Sequence, residues 1–430
     1  MRDLTFLSLT TLSFASPLKA EGHTAAENAI SGLSSKPMSA GDLITMPRLG
    51  APIVTPSGLY AVYSVAEADS EPYARASNYY VIDLKTPGST PIEVDLGLDA
   101  YALAFGTDNL VYFLSEDHPD SEAGKYARLW RAALAGDGSV TQRTLVADIP
   151  DAGISDFLLA PTNDKVAFLV TVSRDCAILP CNDASKSIGS GRLYEGDAGF
   201  YRHWDRWVES GKFNRVFVFD VEDGQITSEG VPIDGTDPET GLVANTPTMP
   251  FGGREDLTWA PDGSGLYFVA REANAQEPTS TDLDIYFSDL SGGAPKVLTG
   301  ANEAHDSGPS VSPDGKTLAY LAMARPGYES DRLIVHLRDL ATGDTQALTQ
   351  ETDLSFGGLT WSADGSYLLA TAADVLDTPV FRIDPASGEV TKLDLMAGNE
   401  AHIGSISPLP DDHLLFTRDS VGVPSELFLF

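Results

Sequence analysis

The chain reads as an all-β protein, a seven-bladed β-propeller of four-stranded antiparallel blades whose last blade is incomplete. The first observation is a recurring unit: an apolar strand, then Pro or Ser, Asp, Gly, then a second apolar strand. It occurs as Trp259-Ala260-Pro261-Asp262-Gly263, as Val311-Ser312-Pro313-Asp314-Gly315 and as Trp361-Ser362-Ala363-Asp364-Gly365. The second is the period, since Gly263, Gly315 and Gly365 follow one another at intervals of 52 and 50 residues. Asp-Gly between apolar runs is hairpin chemistry, because Gly takes the positive φ that tight turns need. Repeated every 40 to 50 residues or so, it marks one propeller blade per repeat.

Weaker copies extend the array. Thr55-Pro56-Ser57-Gly58, Gly106-Thr107-Asp108-Asn109 and Pro161-Thr162-Asn163-Asp164 each precede an apolar run and mark the first three blades. Ser407-Pro408-Leu409-Pro410-Asp411-Asp412 before Leu414-Leu415-Phe416-Thr417 opens a seventh. Its next strand, Ser425 to Phe430, has no outer strand after it, so its edge is expected to be unpaired.

Composition supports a well-punctuated β protein with a real core: 39 Gly, 27 Pro and 42% hydrophobic residues. Residues 1–20 read as a signal peptide, with Arg2 ahead of an apolar-rich stretch and small residues at Ala15 and Ala20; 21–35 read as a linker and 36–430 as the propeller. Export to the periplasm or the medium is therefore expected. No stretch reaches the ~20 apolar residues of a membrane span. A formal net charge of −34, from 62 acidic and 28 basic residues, repels phosphate backbones and anionic lipid. Neither nucleic acid nor membrane is expected as a partner.

The only two cysteines, Cys176 and Cys181, are close enough to close a small loop. A disulfide, two free buried thiols and a metal pair are the alternatives; an oxidising compartment favours the first, and the absence of nearby His disfavours the last. They lie in an insertion, 174–212, in the third blade, far longer than a blade connection needs. The insertion holds Tyr194-Glu195-Gly196 and Arg202-His203-Trp204-Asp205-Arg206-Trp207-Val208-Glu209, a density of aromatic and charged residues found in no other loop. Long insertions on rigid scaffolds commonly carry recognition residues. The alternative is that Trp204 and Trp207, three apart on a short helical turn, plug the open face of the blade.

The segment from Lys36 to Gly50, the Ser-Pro-Asp-Gly blades, the Cys176 to Cys181 loop and the Arg202 to Trp207 motif together resemble the prolyl oligopeptidase family of serine peptidases, in its exported bacterial dipeptidyl-peptidase and acylaminoacyl-peptidase branch. The resemblance runs from about Lys36 to the C-terminus. It implies a propeller that caps an α/β-hydrolase domain and filters peptide substrates by size. The family's catalytic Ser stands on a Gly-x-Ser-x-Gly elbow, and no such pentapeptide occurs here. Gly404-Ser405-Ile406-Ser407 has the wrong spacing, and Gly189-Ser190-Gly191 lacks the strand-turn-helix context. An alternating β/α run is missing as well. The chain is therefore expected to lack the catalytic domain and to be inactive alone, with no catalytic residue, cofactor or metal of its own.

Within the insertion, Glu195, Asp205 and Glu209 are candidate partners for a peptide's α-ammonium through charge-assisted hydrogen bonds. Arg202 and His203 are candidates for the substrate or, with Arg206, for pairing with those carboxylates and fixing the loop. A second reading, from a different class, is a stand-alone periplasmic binding propeller resembling that of the Tol-Pal system. Gly315-Lys316-Thr317 mimics a phosphate loop, but Ser310 stands where that loop requires Gly. His305 and His402 recur in Glu303-Ala304-His305 and Glu400-Ala401-His402, which favours equivalent structural positions over a metal ring in the channel.

Overall fold

A computed structural model describes residues 38–68, 75–86, 88–120, 124–181, 191, 194, 199–208, 211–395 and 401–430. The expected leader, 1–20, and linker, 21–35, lie outside them. The strands form seven antiparallel sheets in sequence order, plus a two-stranded hairpin of the insertion. Each sheet is one blade, so the all-β propeller expectation holds. Among the described residues one helix is longer than a turn, Ala40–Thr45; Ser39 Oγ accepts the Asp42 N–H, and the Ser39 N–H donates to the Asp42 carboxylate in return.

The hairpins explain the repeat in atomic detail. Ser312 Oγ accepts the Thr317 N–H at 3.0 Å and donates to Asp314 at 2.7 Å, while Asp314 accepts the Lys316 N–H at 3.1 Å. Ser362, Asp364, Ser366 and Tyr367 repeat this at 3.1, 2.8 and 3.0 Å. Gly263, Gly315 and Gly365 all sit at φ 71°, the left-handed value that excludes most side chains. In the weaker copies Asn109 and Asn163 take that position at φ 61° and 57°. Asn tolerates the left-handed region better than other residues with a Cβ, so the turn survives where the Gly signal fades.

Seven apolar clusters hold the ring, one between each pair of neighbouring blades. Phe157, Phe168 and Phe217 of the third blade pack on Leu114 and Leu129 of the second, and Phe356, Trp361 and Phe381 of the sixth on Leu321 and Val335 of the fifth. Ring closure uses the same device. Ala61, Tyr63 and Ile82 of the first blade pack on Leu415 and Leu427 of the last. The last blade has three strands, His402–Pro408, Leu414–Ser420 and Val423–Leu429, and among the described residues the first blade lends it no strand. Among the described residues Val423–Leu429 pairs on one side only, as expected.

Two faces follow from the pairing. Inner strands begin where second strands end, as in Asp306 opposite Ala322, Phe356 opposite Ala372 and Arg48 opposite Ala66. The Asp-Gly hairpins occupy one face. The other carries the start of every inner strand, the connections between second and third strands, and hence the insertion, because Lys165–Ser173 pairs along its length with Lys212–Glu222.

Candidate functional site at the channel mouth

The insertion face has one feature that sets blades three to five apart. Arg202–His203 pairs with Arg206–Trp207 in a hairpin whose turn is Trp204 and Asp205, with Trp204 at φ 52°. The helical turn expected from the Trp204 and Trp207 spacing is thus corrected: a three-residue separation also suits a two-residue hairpin turn, and side-chain spacing alone does not separate them. Nor do these tryptophans plug the blade, being 70% and 54% exposed.

Aromatic contacts lay the hairpin across the mouth. His203 stacks on Phe200 at 4.2 Å, and Trp204 meets Phe251, from the interrupted inner edge of the next blade, at 5.4 Å. Glu277 anchors this arrangement by accepting the Phe200 N–H at 3.0 Å. Arg271, at the end of the strand Leu266–Glu272, lies 6.0 Å from the Phe200 ring. Burial lowers its pKa against the opposing pull of Glu277, Glu329 and Asp282. Asp282 is raised to about 6 by burial and by neighbouring carboxylates, Asp284 first. His305 is pushed down to about 4 by burial and then by the charge of Arg271. Beneath the rim is a cavity of about 570 Å³, lined among others by Thr248, Phe251, Asp256, His305, Ser307 and Gly358. The rim is amphoteric and net acidic, with a neutral imidazole; it can hold a polar, cationic or aromatic group against an aromatic wall.

No family profile matches the chain. Dipeptidyl-peptidase 5 of Porphyromonas gingivalis is 27% identical over 390 residues, covering 90% of this chain and 53% of that protein. Dipeptidyl-peptidase 5 of Arthroderma otae is 28% identical over 351 residues, 77% of this chain and 46% of that protein. These similarities support the resemblance to the propeller portion of prolyl oligopeptidase-family peptidases. It spans about half the length of the curated relatives it matches. The fold agrees: the acylaminoacyl peptidase of Pyrococcus horikoshii superposes with a TM-score of 0.59 at 13% identity, over 90% of this chain and 52% of that one. The β-propeller domain of the trilobed protease from Pyrococcus furiosus gives 0.55 at 12% identity, over 89% of this chain and 95% of that domain.

In this propeller the sequence-predicted residues part company. Arg202 faces its own hairpin, donating from Nε to the Trp204 carbonyl at 2.7 Å with its guanidinium 5.2 Å from the Trp207 ring. Asp205 stands at the exposed tip, 3.7 Å from Arg206. Among these, His203 alone turns inward, its pKa lowered by burial and by Arg271. Glu195 and Glu209 lie outside the described residues. Cys176 and Cys181 form a disulfide, on the insertion side of the buried Arg215. His305 and His402 hold equivalent places, each bridging the third strand of the preceding blade, at Leu283 and Thr378. Their surroundings differ, since His402 is half exposed and contacts Asp419 at 3.0 Å.

Of the inner rim, Phe251, Arg271, Glu277 and Glu329 were not singled out from sequence, and Asp282 was weighed there, with Asp284, only as a calcium ligand and set aside. A signal existed in the Pro- and Gly-dense run Thr246-Pro247-Thr248-Met249-Pro250-Phe251-Gly252-Gly253, which interrupts the inner edge of the fourth blade.

Proposed function

We propose that the chain is the substrate-facing, gating propeller of an exported serine exopeptidase of the prolyl oligopeptidase family. Its peptide substrates would lose dipeptides or acylated residues to an α/β-hydrolase unit lying outside these 430 residues. The observation that carries this reading is the 27% identity to a dipeptidyl-peptidase over 90% of the chain. Topology supports it, because the insertion, the charged rim and the strand beginning at Arg48 share one face. In this reading that face meets the hydrolase. Arg202, His203 and Asp205, with Glu195 and Glu209, shape the entrance, and the rim carboxylates Glu277, Asp282 and Glu329 attract a peptide's α-ammonium. The leader-like residues 1–20 and the disulfide support a periplasmic or secreted location.

The test compares this chain with the protein read from any hydrolase-coding sequence beyond codon 430. Alone, the chain should neither hydrolyse dipeptidyl or acyl-aminoacyl chromogenic substrates nor react with a fluorophosphonate; the joined protein should do both. Stoichiometric labelling of a serine in the chain alone overturns the division of labour. A joined protein that labels but cleaves no such substrate overturns the peptidase reading.

A further inference from the structure

The inner edge of the fourth blade is interrupted: Ala244–Asn245 and Leu257–Trp259 both pair with Leu266–Glu272, and the residues between them leave the sheet and enter the ring of inner strands. The base of this excursion is tied down on both sides: the Thr246 N–H donates to the Asn214 carbonyl at 3.0 Å, Thr246 Oγ1 donates to the Val269 carbonyl at 3.0 Å, and Asn214 Nδ2 donates to the Pro247 carbonyl at 3.1 Å. The excursion is stapled internally. Asp256, nearly fully buried, accepts both the N–H and the hydroxyl of Thr248 at 2.8 Å, and the Gly252 N–H donates to the Thr248 carbonyl at 2.8 Å. A Cβ at Gly252 would meet Asp256 Oδ2, Thr248 Oγ1 and the Thr248 nitrogen inside contact distance, so the backbone closes on itself with no room for a side chain.

From this base Arg254 reaches across to two other blades. Its Nε donates to Asp156 Oδ2 at 2.8 Å and its Nη2 to Asp156 Oδ1, on the inner strand Ile154–Leu159 of the third blade. Its Nη1 lies 3.4 Å from the Leu103 carbonyl, on the inner strand Ala100–Phe105 of the second. Its guanidinium is 5.4 Å from the Phe157 ring. The loop divides the space it crosses: the 570 Å³ cavity lies on its side toward blades five and six, and one of about 220 Å³, lined by Ser155, Asp156, Asn214 and Gly253, on its side toward blade three. Gly252 belongs to the wall of both.

We propose that residues 246–256 are a plug that closes the propeller channel to peptides, with the two-pronged Arg254–Asp156 pair as its latch. A charge-assisted bidentate pair fixes both position and direction, which a single contact does not. This inference stands apart from the peptidase reading and is tested without activity.

The chain's only cysteines form a disulfide, so an introduced thiol reports alone. Ser307→Cys places one on the larger cavity, and Ser57→Cys, on an exposed turn of the hairpin face, is the control. Each is reacted with iodoacetamide and with a maleimide carried on a ten-residue peptide. With the latch intact, the peptide reagent relative to iodoacetamide should be at least tenfold slower at position 307 than at 57. Arg254→Ala and Asp156→Ala should bring the two ratios together. Should Arg254→Ala lose the native near-ultraviolet dichroism, Arg254→Lys, which keeps the charge and loses the fork, replaces it and should narrow the gap in part. Equal ratios with the latch intact, or an unchanged gap in folded latch variants, overturn the plug.

Discussion

Arg215 and Asp234 form a fully buried, two-pronged ion pair, with Nε and Nη2 of the arginine 2.8 and 2.7 Å from the two carboxylate oxygens. The same guanidinium donates to the carbonyls of Arg174, Cys176 and Gly235. One side chain therefore ties the root of the disulfide loop to the third strand of its blade and to the connection that follows. The carbonyls matter as much as the carboxylate, since a buried guanidinium is tolerated only when its donors are satisfied.

Removing either member should leave a buried charge without compensation. Asp234→Ala and Arg215→Ala are each expected to cost about 3 to 5 kcal/mol, read as a lower urea midpoint at unchanged slope. The double variant Arg215→Met with Asp234→Leu should cost clearly less than the sum of the single changes. Additive losses would show that the pair does not act as a unit.

Asp306 gives the fold a pH dependence. It is fully buried, accepts from Asn302 Nδ2 at 3.0 Å, and has its pKa raised to about 7 by burial, with Asp284 and Asp282 adding to the effect. The native state holds this proton more tightly than the unfolded chain, so stability falls as pH rises from about 4 through about 7. Asp306→Asn should reduce the loss between pH 5 and 8 by about 1 to 2 kcal/mol. His305, with its lowered pKa, acts in the opposite sense in both proteins and cancels in the difference. Parallel stability curves for the two proteins would contradict this.

Protein isolated from an oxidising compartment should carry the Cys176–Cys181 bond. Intact-mass measurement after alkylation without reduction should show no added label. The loop is short, so Cys176→Ala with Cys181→Ala should cost only about 2 kcal/mol. Two labelled thiols would refute the bond in the exported protein.

The last strand, Val423–Leu429, is paired on one side, to Leu414–Ser420. With Phe430 paired to Leu414 through both backbone bonds, the N–H groups of Leu427 and Leu429 point to the open side. Beyond Pro424 and Glu426 no charge or proline guards the apolar stretch Leu427 to Phe430, which makes it a strand-addition site. The chain should run as oligomers in size-exclusion chromatography, and appending about 15 to 20 residues that supply a fourth strand should shift it toward monomer. A monodisperse monomer without the addition would show that the edge is protected another way.

The blades were legible because their determinants are local. Ser312, Asp314 and Gly315 satisfy one another within a few residues, so one window of sequence contains the whole argument for a hairpin, and its repetition contains the argument for the ring. The insertion was legible as an interruption of that period, but its form was not, since a spacing of three between Trp204 and Trp207 suits a helical turn and a tight hairpin alike. The channel mouth lay beyond such reading. Arg254 finds Asp156 98 positions away and Leu103 151 away, and Phe200 finds Glu277 across 77. Propeller closure brings these blades together, and burial there shifts the ionisation of Asp282, His305 and Asp306. Hydrogen-bond chemistry within a turn is written in neighbouring residues, whereas the partners of a channel-lining charge are chosen by which blades the ring sets side by side.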